Sequence, residues 1–300
     1  MVMKPNLHRS FATPFQWSLA VLRSLRSRWK YVTYRLARLL LISYITVAVY
    51  AYGFSDRAIL PAFPSTYETL PGLLQIPTPN GQTIAALYVF NSAAKYTLLM
   101  SHGNGEDLGD LQSQIDDFKA MGLSVFAYDY RGYGKSQGSA SVANVYEDSE
   151  TAYQYLTQTL KIAPDHILLY GRSVGGGPST ALAARHTSAS KESASGQSIV
   201  GIILESTFIS TFRVTIPIQI LPYEKFPNQQ NIRQTHNLST LIIHGTNDRV
   251  IPYWHGQTLY ATAQEPKQLF TVEGADHNDV SSVSGKNYSR SIVQWLKTLP

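Results

Sequence analysis

Short apolar runs recur along most of the chain, separated by polar or glycine-rich stretches. Thr83–Phe90 (TIAALYVF), Tyr96–Ser101 (YTLLMS), Leu123–Tyr128 (LSVFAY) and His166–Tyr170 (HILLY) are brief and rich in branched or aromatic side chains. That pattern predicts strands. Ile199–Leu204 (IVGIIL), Thr240–His244 (TLIIH) and Gln268–Val272 (QLFTV) repeat it in the second half. Between them lie helical spacings. Leu108–Met121 is ended by Gly122, and Val142–Leu160 repeats apolar positions through Val145, Ala152, Tyr155, Leu156 and Leu160. Pro178–Ala184, Trp254–Ala263 and Ser291–Leu299 are further helices. Buried strands alternating with helices predict an α/β chain whose central sheet is mostly parallel and covered on both faces. Thr187–Ser198 (TSASKESASGQS) reads as a polar loop, and no internal repeat is visible.

One run breaks this rhythm. Leu39–Phe54 (LLLISYITVAVYAYGF) has no charged residue. Sixteen helical residues span about 24 Å, a little short of the ~30 Å hydrocarbon core. Extension back to Leu36 adds only Arg38, whose long side chain can snorkel to headgroups. Tyr44, Tyr50 and Tyr52 suit interfacial depths. A buried core helix and a cleaved signal peptide, cut after the small residues Val49 and Ala51, are the alternatives. Residues 1–30 read as irregular or interfacial, and the proline-rich stretch 55–80 as a linker.

Charge sharpens this picture. Residues 1–38 hold eight Lys or Arg and no acid; residues 39–300 hold seventeen basic and twenty acidic residues, a net charge of −3. A nucleic-acid binder would carry its positive charge on the body; here it sits ahead of an apolar run, as beside a membrane. An uncleaved single-pass anchor is expected, with the N-terminus cytoplasmic and the body on the far side. The overall composition, 44% hydrophobic and 15% charged, suits a folded chain with a sizeable core. There is no cysteine, which excludes disulfides, thiolate zinc sites, cysteine nucleophiles and cysteine-linked lipids.

The candidate chemistry lies at strand ends. Gly171, Arg172, Ser173, Val174 and Gly175 fit G-x-S-x-G, with HILLY running into the motif and a helix following. This strand–turn–helix elbow exposes the serine, and Gly171 and Gly175 leave room for the sharp turn. The turn also aims the Val174 N–H at a reacting carbonyl. Serine needs a base, and after such an elbow the acid precedes the histidine. His277, in a loop beyond QLFTV, is the expected base; His244 and His255 read as structural. Asp248, beyond TLIIH, is the expected acid, and Glu205, which ends IVGIIL, is its rival. The second oxyanion donor is expected in the loop after YTLLMS, at the N–H of Asn104, with His102 supporting that loop. No metal-ligand spacing occurs, and this chemistry requires neither metal nor organic cofactor.

Five segments, SHGNGEDLGD, VFAYDYRGYGKSQG, ILLYGRSVGG, LIIHGTNDRVIP and VEGADHND, resemble α/β-hydrolases over residues 70–300. The likeness is greatest to the membrane-associated α/β-hydrolase-domain group that includes protein depalmitoylases, and extends to serine aminopeptidase-like and lipase-like enzymes. The resemblance implies an α/β-hydrolase fold with Ser173 as nucleophile, Asp248 as acid and His277 as base, and gives Asp129–Gly134 a structural turn. The cysteine-rich lipidated N-terminus of the depalmitoylases has no counterpart here. The implied layout is a basic segment (1–35), a membrane helix (36–55), a linker (56–80) and a hydrolase domain (81–300). A short cap at about 206–238 carries Phe208, Phe212, Ile216, Ile218, Ile220, Leu221, Tyr223 and Phe226, either as an apolar rim to the acyl site or as packing on the sheet. The expected activity is hydrolysis of a small ester or thioester through an acyl-enzyme. A peptidase with the same three residues and a non-catalytic membrane scaffold are the rivals; a dehalogenase would need Asp in place of Ser173.

Overall fold

Every run read as a strand enters one sheet. The computed structural model describes residues 14–187 and 198–300, without the side chains of 14–24 and 27. Lys4, Arg9, the Arg23 side chain and nearly all of the polar loop expected over 187–198 therefore lie outside the described residues. The chain forms two units, Met1–Ser55 and Asp56–Pro300.

In the first unit, one helix, α1 (Pro14–Gly53), covers residues 14–30 of the segment read as irregular or interfacial, and residues 1–13 of that segment lie outside the described residues. Arginine and lysine are good helix formers, so the charges that bound the apolar run do not end the helix. The stretch Arg28–Gly53, 26 residues long, is apolar and long enough to cross a membrane, at about 39 Å. Its apolar side chains face outward, Leu40 with 71% of its surface exposed, unlike those of a core helix.

The second unit opens with α2 (Asp56–Ile59) and β1 (Leu74–Pro77), so the expected linker contributes a strand. There follow β2 (Thr83–Val89), β3 (Thr97–Ser101), α3 (Gln112–Ala120), β4 (Ser124–Tyr128), α4 (Val142–Gln154), β5 (Ile167–Arg172) and α5 (Gly176–Thr187). The chain continues through β6 (Gly201–Glu205), α6 (Thr211–Thr215), α7 (Asn228–Arg233), β7 (Ser239–Gly245), α8 (Trp254–Thr262) and β8 (Lys267–Val272). It ends in α9 (Val280–Ser284) and α10 (Lys286–Leu296). The sheet order is β1-β2-β4-β3-β5-β6-β7-β8. Only the β1/β2 and β2/β4 pairings are antiparallel; those from β4 through β8 are parallel.

Alternate residues of the central strands feed separate cores. Leu99, Phe126 and Leu169 join one apolar cluster, whereas Leu98, Val125 and Leu168 join the other. Burial on both faces is why these strands read as continuous apolar runs. The helix expected over 108–121 begins only at Gln112; Leu108 lies in the turn before it, where its N–H donates to Asp129 Oδ1 at 2.8 Å. That buried Asp129 carboxyl also accepts from the Tyr67 hydroxyl at 2.6 Å, and burial pushes it up to about 7. Parallel β3, β5, β7 and β8 share one direction, so the loops beyond their carboxyl ends gather at one edge of the sheet.

Candidate active site

At the end of β5 the backbone turns within one residue. Ser173 has φ +54°, the left-handed region that costs an L-residue about 1–2 kcal/mol. A 3-10 turn, Ser173–Gly175, then leads into α5. The flanking glycines are required by contact. A Cβ on Gly171 would sit 2.5 Å from the Gly175 carbonyl oxygen, and one on Gly175 would sit 2.1 Å from that of Ser101. The Thr207 hydroxyl holds the elbow by donating to the Ser173 carbonyl at 2.6 Å.

Ser173 Oγ lies 3.1 Å from His277 Nε2, and His277 Nδ1 lies 2.8 Å from Asp248 Oδ2. The three residues come from loops beyond β5, β8 and β7. Asp248 Oδ1 accepts the N–H groups of Val250 and Ile251 at 2.9 and 2.7 Å. His244 Nε2 approaches Asp248 Oδ2 at 3.3 Å. Burial would raise the Asp248 carboxyl, yet its bonds to His244, His277 and Ile251 hold it well below the usual carboxylate range. It is thus an ionised acceptor for His277. His244, read from sequence as a core residue, also braces the acid.

The rival positions serve other purposes. Glu205 accepts from the Tyr170 and Tyr288 hydroxyls at 3.1 and 2.5 Å, away from His277, and burial raises its pKa. His255 is buried on α8, accepts the Ile209 N–H at 3.3 Å, and is depressed to about 4 by burial and by His244. His102 is buried against Tyr130 in the loop beyond β3, with Nδ1 2.7 Å from the Gly103 carbonyl oxygen.

A pocket of ≈ 530 Å³ opens onto Ser173 and His277, lined also by Gly103, Asn104, Glu106, Arg172, Val250 and Asn278. Asn104 therefore faces the same space as the serine. The apolar rim expected from residues 206–238 is absent from this lining. Phe208, Leu221 and Phe226 are buried, while Ile218 points to solvent with 67% of its surface exposed. Burial against the domain accounts for Phe208, Leu221 and Phe226, whereas Ile216, Ile218 and Ile220 are exposed away from the pocket lining. Sequence reading missed Glu106, Arg172 and Asn278, three polar residues of the lining. Among the described residues, no cluster of His, Asp and Glu is arranged to hold a metal ion.

The sheet order, the elbow and the Ser173–His277–Asp248 geometry define the architecture of an α/β hydrolase. Comparison with known proteins agrees. A family model described as serine aminopeptidase, S33, matches residues 92–223. The α/β-hydrolase domain-containing protein 17B of Xenopus tropicalis is 41% identical over 207 residues, 68% of this chain and 68% of that protein. Its Homo sapiens counterpart is likewise 41% identical over 207 residues, with the same coverage. An esterase structure from Pyrococcus furiosus superposes with a TM-score of 0.62 at 16% identity, over 80% of this chain and 97% of that one; this likeness concerns the fold alone. The chain belongs to the α/β-hydrolase superfamily, within the group of α/β-hydrolase domain-containing proteins.

Proposed function

We propose that this hydrolase is a membrane-anchored serine esterase or thioesterase working through an acyl-enzyme. The observation that carries the reading is the continuous chain from Ser173 Oγ through His277 to an ionised Asp248, facing an open pocket. Ser173 Oγ attacks the acyl carbonyl carbon while its proton passes to His277 Nε2, and Asp248 stabilises the imidazolium without taking the proton. The carbonyl π electrons move onto oxygen, where the Val174 and Asn104 N–H groups donate to it. Collapse expels the alcohol or thiol, protonated by His277, and leaves Ser173 acylated. Water deprotonated by His277 then releases the acid and regenerates the hydroxyl. The S33 description of the matching family model favours a second reading, peptide hydrolysis by the same three residues.

Anchoring is supported by the outward-facing apolar stretch Arg28–Gly53 and by the absence of any acidic residue before Asp56. The basic flank favours a cytoplasmic N-terminus and a hydrolase domain across the membrane. The decisive test of the chemistry is labelling of the membrane fraction with a fluorophosphonate. The wild-type chain is expected to label and Ser173→Ala not to, with ester hydrolysis reduced at least ~10³-fold. A folded wild-type chain that resists the probe would remove the serine-hydrolase reading and favour a non-catalytic scaffold.

A further inference from the structure

Three side chains at the pocket each neighbour one part of the proposed machinery. Arg172 precedes Ser173, Asn278 follows His277, and Glu106 lies two residues beyond Asn104. They are joined to one another. Arg172 Nη1 is ion-paired with Glu106 Oε1, and Arg172 Nη2 donates to Asn278 Oδ1 at 2.7 Å. Glu106 Oε2 accepts the Gly103 N–H at 2.8 Å. A Cβ on Gly103 would lie 2.8 Å from that same oxygen, so glycine permits the contact.

We propose that Glu106, Arg172 and Asn278 form a positioning relay that fixes the oxyanion loop, the nucleophile elbow and the histidine loop relative to one another. The inference rests on the serine-hydrolase reading and deepens it. Glu106 occupies the Gly103 N–H, which leaves the Asn104 N–H to serve a substrate oxygen. Arg172 ties that loop to the elbow, and Asn278 carries the tie to His277. With side chains 15% and 24% exposed, Arg172 and Glu106 interact more strongly than a surface pair. The pair is also electrically neutral as a unit, so the field it sets at His277 is small only while both charges are present.

The other charged groups around His277 stay the same when the pair is altered. Asp248 and His244 lie on the β7 side. Asp276 and Asp279 share its own loop, Asp276 paired with Arg249. Glu205 lies near Arg172 but is bonded to Tyr170 and Tyr288. Removing one member of the pair therefore changes the net charge beside His277 by one unit, whatever share of the Arg172 charge Glu205 offsets. Glu106→Gln leaves Arg172 positive, which makes imidazolium harder to form and moves the acid limb of activity to lower pH. Arg172→Gln leaves Glu106 negative and moves that limb to higher pH.

The test measures the second-order rate of fluorophosphonate labelling against pH for the full chain in membranes. Both single variants are expected to label ~10-fold or more slowly, from loss of alignment. Their acid limbs should move in opposite directions by about 0.5 pH or more. The Glu106→Gln/Arg172→Gln double variant should return the limb to the wild-type position and remain slow. Asn278→Ala, which changes no charge, should slow labelling with the limb in place. Limbs that stay fixed or move together in folded variants, judged by thermal unfolding, overturn the relay while leaving the nucleophile intact. A wild-type chain that never labels removes the serine-hydrolase reading itself, and the relay with it.

Discussion

Ser173 occupies backbone space that suits glycine, and that oddity has a thermodynamic consequence. At an ordinary position Gly is less stable than Ala by about 0.5–1 kcal/mol, because it gives the unfolded chain more freedom. At φ +54° the penalty on any L side chain, about 1–2 kcal/mol, opposes this. Ser173→Gly should therefore melt at or above Ser173→Ala, with labelling lost in both. An Ala variant more stable by the usual margin would show that the elbow is relaxed. The serine itself was legible because a five-residue motif followed a strand, and His277 and Asp248 because each lies in a loop just beyond one. Glu106, Arg172 and Asn278 were not. Their contacts join loops 66 and 106 residues apart in sequence, and no local spacing announces such a meeting. Hydropathy left residues 206–238 open between a rim to the acyl site and packing on the sheet, since it cannot tell a side chain facing a pocket from one facing the core; the pocket lining holds none of them.

At the scale of elements, burial decided what could be read. β3 through β7 are buried on both faces, and their apolar runs predicted them to within about two residues. β1 is a four-residue edge strand with one buried side chain, Ile76, so it left no run to find and was absorbed into a linker. The α4 periodicity continued to Leu160, but the α-helix ends at Gln154 and one π turn, Tyr155–Thr159, follows; apolar spacing alone does not distinguish the two windings. The contact between the elbow and β3 is tighter than pattern can show. With Gly175 against the carbonyl oxygens of Ser101 and His102 at projected Cβ distances of 2.1 and 2.6 Å, both partners are backbone and neither can rotate away. Gly175→Ala should cost roughly 1–3 kcal/mol or more, lowering Tm by several degrees in a domain of this size. An unchanged Tm would mean that the elbow does not press on β3.

For the whole molecule, the division at Ser55/Asp56 separates two kinds of surface. In the Arg28–Gly53 stretch of α1, Leu39, Leu40, Leu41 and Ile42 are among the exposed apolar residues. A row of such side chains is unfavourable in water by about 25 cal/mol per Å² of apolar surface. The domain beyond holds its own two apolar cores and all of the residues that meet at Ser173. Membrane attachment and hydrolysis should then separate cleanly. The full chain is expected to stay with the bilayer through alkaline carbonate extraction, whereas a 56–300 fragment should be soluble and retain fluorophosphonate labelling. Orientation is a separate matter, because basic residues flanking a span, such as the eight before residue 39, bear on its direction and not on the fold of the domain that follows. Protease added outside intact cells should remove the hydrolase domain and spare the N-terminus. Full protection outside, with digestion only after permeabilisation, would reverse the orientation yet leave the anchor and the chemistry standing. Release of the full chain by carbonate would instead mean that α1 covers its apolar side chains with a protein partner.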